Sequence, residues 1–123
     1  MKPRDAAVFL ISLLAAGAGA AAKPVPPATP AGAPVDCLNL QDIRESRVRD
    51  DKTIDFHTNG GKTYRNTLPY ACSGLGFEQA FSYKTSINRL CSVDVITVIQ
   101  HGGMPRGATC GLGKFQPVTG LPR

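Results

Sequence analysis

The chain has 123 residues and four cysteines, and its 14 Lys and Arg exceed its 9 Asp and Glu, which gives a formal net charge of +5. This length allows one small domain, whose core is marginal without cross-links. The basic excess is spread along the chain and interrupted by acidic residues. It therefore argues against nucleic-acid binding and fits weak attraction to anionic components of a cell envelope.

Residues 1–22 have the pattern of a secretory signal peptide. Two cations come before an apolar run over 6–16, and small residues follow up to Ala22. A transmembrane helix needs about 20 apolar residues, and this run is shorter, so we expect no membrane span. Cleavage after Ala20 or Ala22 would release the chain into the periplasm or the extracellular space.

Three segments follow the predicted signal peptide. Residues 23–35 are rich in Pro and Ala and carry one charge, so we expect an extended linker that contributes nothing to a core. Residues 36–118 form the single predicted domain. The tail over 116–123 contains prolines and is expected to fray, and its last part, 119–123, lies outside the predicted domain.

The clearest local pattern is a β-hairpin over Thr53–Leu68. Two segments rich in β-branched and aromatic residues flank Asn59–Gly61, and Asn and Gly tolerate the positive φ of a tight return. We prefer a three-residue loop, because its register places an aromatic pair on one face and an opposite-charge pair on the other. That register pairs Phe56 with Tyr64, Asp55 with Arg65 and Ile54 with Asn66.

Short segments separated by turn signals continue on both sides of the hairpin, and no long helical period interrupts them. We expect the most buried, central strand at 94–100, because this is the most apolar β-branched run after the signal peptide. A short helix over 77–81 competes with a strand over 78–86. Further strands are predicted at 44–49 and 108–115. The pattern predicts an all-β domain, a small antiparallel β-barrel or sandwich of about six strands stapled by disulfides.

Cys37, Cys72, Cys91 and Cys110 are the four cysteines. An even number in an exported chain predicts disulfides, and four cysteines allow three pairings. If the strands form an up-and-down meander, Cys37 and Cys91 lie at one end and Cys72 and Cys110 at the other, which favours those two pairs. No two cysteines are closely spaced and the two histidines stand apart, so we expect neither a metal site nor a redox motif.

No residues have the spacing of a catalytic or cofactor site. His57 lies in the predicted hairpin and is better explained as a solvent-facing strand residue than as a general base. Asp50 and Asp51 are adjacent in a turn, whereas a glycosidase needs two carboxylates that face each other across a cleft. The glycine-containing segments 74–76 and 111–113 are too short for phosphate binding and lack the helix it requires. We therefore predict no enzyme and no cofactor.

Six blocks of sequence carry the cysteines and the hairpin: Cys37–Leu40, Val48–Ile54, Gly61–Leu68, Cys72–Phe77, Leu90–Val98 and Cys110–Phe115. Together they resemble the recurrent blocks of a family of bacterial exported domains of unknown function, over nearly all of 37–118. The resemblance implies an exported domain and no activity. Some members are lipid-anchored, and this chain lacks the anchoring cysteine. The resemblance also points to the residues Asp50, Asp51, Tyr64, Arg65, Asn66 and Asp94.

A small β-domain without a catalytic set acts through its surface. The leading hypothesis is an exported, non-enzymatic binding or interaction module at the cell envelope, with an envelope protein or an anionic glycan as its partner. The candidate recognition residues are His57, Tyr64, Arg65 and Asn66. The alternative is an inhibitor of a lysozyme-like or protease-like hydrolase, which would present an exposed loop such as His101–Gly107 or Cys72–Phe77.

Overall fold

A computed structural model describes residues 24–102 and 107–121. The predicted signal peptide lies outside the described residues. Within those ranges the chain forms ten strands, one short α-helix and two single 3-10 turns, Leu40–Asp42 and Asn59–Gly61. The elements are β1 (Thr29–Pro30), β2 (Cys37–Asn39), β3 (Ile43–Asp50), β4 (Thr53–Thr58), β5 (Thr63–Thr67), α1 (Leu75–Glu78), β6 (Phe81–Tyr83), β7 (Arg89–Cys91), β8 (Val95–Val98), β9 (Thr109–Gly111) and β10 (Phe115–Thr119).

The strands form three antiparallel sheets. The largest has the order β1-β10-β5-β4-β3, a second pairs β2 with β7, and the third has the order β6-β8-β9. The all-β, disulfide-stapled prediction is confirmed, and the arrangement is that of the sandwich alternative. The strands are more numerous and shorter than the six predicted. The segment 78–86 divides between the end of α1 and β6, and the segment 108–115 divides between β9 and the start of β10.

The predicted hairpin is formed by β4 and β5. Its turn is Asn59–Gly61, in which Gly60 and Gly61 both have a φ of +86°, a backbone conformation that glycine adopts without strain. The predicted register is confirmed in full: Phe56 lies opposite Tyr64, Asp55 opposite Arg65 and Ile54 opposite Asn66.

The core lies between the inner face of the five-stranded sheet and the two smaller sheets. Phe56 makes edge-to-face contacts with Phe115 in its own sheet and with Phe81 in the three-stranded sheet, at ring-centroid distances of 5.4 and 6.3 Å. Burying a side chain of this size contributes about 2 kcal/mol. The other buried residues of this core cluster are Leu38, Val48, Ile54, Leu68, Cys72, Leu75, Leu90, Ile96, Val98 and Leu112.

The most buried strand is β4, and the prediction of 94–100 for that role is wrong. In β8 only Ile96 and Val98 are buried, whereas Val95 and the following Ile99 are 49% and 45% exposed. The outer side chains of β8 face solvent because it lies in a three-stranded sheet with one covered face. In β4 five of six residues are buried, since Ile54 and Phe56 face the core and other side chains cover the opposite face.

The two ends of the described chain belong to the large sheet. Residues 116–119, predicted to fray, continue β10, which pairs with β5 from Phe115 to Val118. The Pro-rich segment 23–35, predicted to be a separate linker, supplies β1, and Val35 exchanges two main-chain hydrogen bonds with Phe115. Pro117 interrupts neither ladder, because its main-chain groups face β1, where its carbonyl accepts a hydrogen bond from Ala31 N–H. A missing N–H is tolerated beside such a short edge strand.

The favoured disulfide pairing is confirmed. Cys37 and Cys91 are cross-strand neighbours in β2 and β7, and Cys72 is bonded to Cys110. The first bond lies within the two-stranded sheet. The second links the loop after β5 to β9, and its Cys72 end is fully buried in the core.

Candidate functional site

The face of the five-stranded sheet that points away from the core carries charged side chains. Successive residues of a strand point to opposite faces, so Asp55 and His57 of β4 lie opposite the core residues Ile54 and Phe56. The register continues this face across the sheet in two rows, Glu45–His57–Thr63–Val118 and Arg47–Asp55–Arg65–Gln116. We call this surface the outer face.

A cluster of three ionised side chains, Asp55, Arg49 and Arg65, covers the middle of the outer face. Asp55 has no exposed surface, and its carboxylate accepts hydrogen bonds from Arg49 Nε at 2.7 Å and from Arg65 Nε and Nη2 at 2.8 and 3.0 Å. Burial by itself would raise the pKa of Asp55, but the hydrogen bonds and charges of Arg65 and Arg49 outweigh it and hold the pKa below its ordinary value. The carboxylate is therefore ionised at neutral pH, and both guanidinium groups are committed to it.

A groove of about 540 Å³ crosses the outer face beside this cluster, near the hairpin turn. It runs over β3, β4, β5 and the end of β10, so residues far apart in sequence form its walls. Its lining residues are Arg44, Glu45, Arg47, His57, Thr58, Gly61, Lys62, Thr63, Val118, Thr119, Gly120 and Leu121. Three cationic residues, a histidine and one carboxylate thus line the groove.

The single groove carboxylate is already satisfied by its neighbours. Glu45 Oε2 lies 3.3 Å from Arg47 Nη2 and 3.9 Å from His57 Nε2. The other ring nitrogen of His57 is 2.9 Å from Thr63 Oγ1, which fixes the ring in the groove floor. Arg44 has no ion-pair partner among the described residues, so the groove keeps an excess of positive charge. The ammonium group of Lys62 is directed away from the groove, to the Tyr64 ring.

The four recognition residues predicted from the sequence do not form one site. Only His57 lines the groove. Tyr64 is half-buried on the inner face, where its ring centroid is 6.0 Å from Lys62 Nζ, and Arg65 is committed to Asp55. Asn66 is fully buried, and its side-chain amide exchanges hydrogen bonds of 2.7 and 2.8 Å with the main chain of Gly113.

The groove cations Arg44, Arg47 and Lys62 were missed by sequence reasoning. The signal that was available is the alternation of Glu45, Arg47 and Arg49 in a predicted strand, which places their charges on one face. What that face meets depends on the strand order, and local sequence does not determine the order.

The acidic residues singled out by the resemblance shape turns. Asp50 Oδ1 accepts a hydrogen bond from Lys52 N–H, Asp51 Oδ1 from Gly76 N–H, and Asp94 Oδ2 from Cys91 N–H, all at 2.7–2.8 Å. The bonds of Asp50 and Asp94 satisfy main-chain donors in tight turns, the usual role of Asp at such positions, and the bond of Asp51 ties the turn after β3 to α1. They have no geometric relation to the groove.

Of the two loops named for an inhibitor, Cys72–Phe77 is described in full, whereas 103–106 of the loop His101–Gly107 lie outside the described residues. Tyr70 and Phe77 are 82% and 86% exposed, while the buried Cys72 and Leu75 between them anchor the segment. Glu78 accepts hydrogen bonds from the main-chain N–H of His101 at 3.0 Å and pairs with its Nδ1 at 2.6 Å. These contacts hold the pKa of Glu78 below its ordinary value.

Within 24–102 and 107–121, no three His, Cys, Asp or Glu side chains come close enough together to hold a metal ion. In the same part of the chain, no helix has the length and apolar character needed to cross a membrane.

Comparison with known proteins gives no match to a family model, to a curated protein or to a solved structure. The resemblance to a family of exported domains stays a prediction, and the groove has to be interpreted from its own chemistry.

Proposed function

We propose that this protein is an exported, non-enzymatic binding module that captures an anionic ligand in the groove of its outer face. The signal-peptide pattern of the sequence supports export, and the two disulfides are typical of proteins from oxidising compartments. The proposal concerns binding because charge is the property that distinguishes the groove.

The observation that carries the proposal is the charge of the groove. Arg44, Arg47 and Lys62 line it together with His57, and the one carboxylate present, Glu45, is taken up by Arg47. A concave surface with an excess of one charge concentrates ligands of the opposite charge. Carboxylate, phosphate and sulfate groups share the chemistry that such a groove recognises.

The expected affinity is modest and depends on salt. Arg44 is exposed and Arg47 is 46% exposed, and an exposed ion pair contributes about 0–1 kcal/mol. Useful affinity therefore requires a ligand with several anionic groups, which a polymer of the cell envelope offers. Salt near physiological strength screens charges beyond about 8 Å, so binding should weaken as salt is added.

The test is calorimetric titration with two anionic probes, an oligogalacturonate and a peptide of alternating threonine and glutamate. We expect at least one of them to bind, and the variant Arg44→Glu/Arg47→Glu to lose that binding. Arg89→Glu is the matched control, because Arg89 is an exposed cation on β7 that does not line the groove. The groove would be refuted as the binding site if Arg89→Glu lost as much affinity as Arg44→Glu/Arg47→Glu, or if neither probe bound the unaltered protein at low salt.

A second candidate function rests on the exposed aromatic side chains of the loop after β5. A hydrolase inhibitor needs a rigid loop with a protruding side chain, and Phe77 is 86% exposed on a segment anchored by the buried Cys72 and Leu75. This reading predicts inhibition of a lysozyme-like or protease-like enzyme that Phe77→Ala abolishes. No inhibition across a panel of such enzymes would remove it.

A further inference from the structure

Strand β3, which forms one wall of the groove, is also an edge strand of its sheet. β3 pairs with β4 on one side, and among the described residues no strand pairs with its other side. Residues 44–47 of β3 are all exposed. An edge of this kind is a template for pairing with another extended chain.

The hairpin turn shows which main-chain groups of β4 point to β3. Thr58 N–H donates to the carbonyl of Lys62 across the turn at 2.8 Å, so the main-chain groups of Thr58 face β5. In an antiparallel ladder, alternate residues direct their N–H and C=O to opposite neighbours. The main-chain groups of Asp55 and His57 therefore face β3.

The same alternation continues into β3. Glu45 and Arg47 lie opposite His57 and Asp55, so they use their main-chain groups to pair with β4. Ser46 between them directs its N–H and C=O to the unpaired edge. The main chain of Ser46 thus offers a donor and an acceptor beside a groove to which the same strand contributes Arg44 and Arg47.

We infer that the ligand of the groove is an extended acidic segment of a partner polypeptide, which adds as a sixth strand to the edge of β3 and directs its carboxylates into the groove. This inference rests on the proposed function and names the partner class for the same site. Side chains of an added strand alternate between the two faces, so glutamates at every second position would all lie on the outer face, beside Arg44 and Arg47. The charge excess of the groove selects such a segment.

The variant Ser46→Pro tests the strand addition directly. Proline at this position removes the edge-facing N–H of Ser46 and is tolerated in edge strands, whereas the control Ser46→Ala keeps that N–H. We expect Ser46→Pro to bind the threonine–glutamate peptide roughly tenfold more weakly, since one or more hydrogen bonds are lost. Ser46→Ala should bind it like the unaltered protein, and melting curves of both variants check that the sheet is intact.

A change in the peptide tests the main-chain hydrogen bonds of the added strand without any change in the protein. The fully N-methylated form of the peptide keeps every carboxylate but has no main-chain donor, and we expect its binding to be lost. If the methylated peptide binds as well as its parent, and Arg44→Glu/Arg47→Glu abolishes both, the groove is confirmed and the added strand is refuted. Binding of oligogalacturonate but not of the peptide would also overturn the polypeptide assignment.

The alternative occupant of the β3 edge is β3 of a second copy of the chain, paired edge to edge in a dimer. Native mass spectrometry of the unliganded protein separates this case. A monomer that binds the peptide supports the inference, and a dimer that Ser46→Pro dissociates would overturn it.

Discussion

Asp55 and Arg65 lie directly opposite each other on β4 and β5, and two hydrogen bonds of 2.8 and 3.0 Å join them. Arg49, from the irregular end of β3, closes over the same carboxylate from the other side at 2.7 Å. The result is a buried ion cluster on the face of the sheet that points away from the core. The cluster covers the middle of β4, and the groove lies beside it on the same face.

Replacing Asp55 by Asn should destabilise the protein strongly at neutral pH. Removing the charge leaves two largely buried guanidinium groups without their partner, and breaking a buried ion pair in this way costs about 3 kcal/mol. Urea unfolding at neutral pH measures the loss. A loss near zero would show that the cluster contributes nothing to stability.

The same carboxylate should make the protein sensitive to acid. Because the pKa of Asp55 is lower in the folded state than its ordinary value, its stabilisation is fully present above about pH 4, the unfolded value. It is lost as the pH falls through the lower folded pKa. The unaltered protein should therefore lose more stability below that pH than Asp55→Asn does, as thermal melts across an acid pH series would show. Parallel pH profiles of the two proteins would contradict the assignment.

Asn66→Ala should destabilise the domain without touching the groove. Its side-chain amide forms hydrogen bonds with both the N–H and the C=O of Gly113, and leaving these two partly buried main-chain groups unsatisfied costs about 2 kcal/mol. A methyl group on Gly113 would overlap the carbonyl oxygen of Thr67, so Gly113→Ala should be destabilising as well. Chemical unfolding measures both effects, while unchanged affinity for the anionic probes shows that Asn66 is structural.

The hairpin and the disulfides could be predicted because the signals are local or few in number. Turn chemistry and the alternation of side chains set the register that joins Asp55 to Arg65. The cysteine pairing was correct although the meander on which it was based is not the fold. In the structure β2 and β7 are direct neighbours, which brings Cys37 and Cys91 together for a different reason.

Strand β10 and the groove could not be predicted because they depend on long-range pairing. Pro117 argues against a strand in the sequence, and only the position of β1 shows that its missing N–H faces a short edge. Arg44 and Lys62 line the same groove because β3, β4 and β5 are adjacent. Ordinary charged strand residues give no sign of this in sequence.

Removing β10 should prevent folding, in contrast to the frayed tail predicted from the sequence. A chain that ends after Lys114 lacks Phe115 and Val118, which are 0% and 7% exposed. Each contributes about 2 kcal/mol of burial, and β5 also loses its neighbour. A chain that ends after Leu121 is the control and should melt with the full-length protein. Equal melting of both truncations would show that β10 is dispensable.

The two disulfides should differ in how much stability their removal costs. Their sequence separations of 54 and 38 residues give about 4 kcal/mol each in the chain-entropy model. Cys72 is also fully buried, so Cys72→Ser/Cys110→Ser places a hydroxyl in the core and should cost more than Cys37→Ser/Cys91→Ser. Urea unfolding of the two double variants measures the difference. The reverse order would contradict the placement of Cys72 in the core.

Amide chemical-shift mapping by NMR tests the central claim most directly, because it locates a bound ligand without any substitution. The protein is titrated with the threonine–glutamate peptide and with oligogalacturonate at low salt. The groove predicts that the shifts concentrate on Arg44, Arg47, His57, Lys62 and Thr63, and that added salt reverses them. Shifts centred on Tyr70 and Phe77, with the groove amides unmoved, would contradict the account and favour the loop as the functional surface.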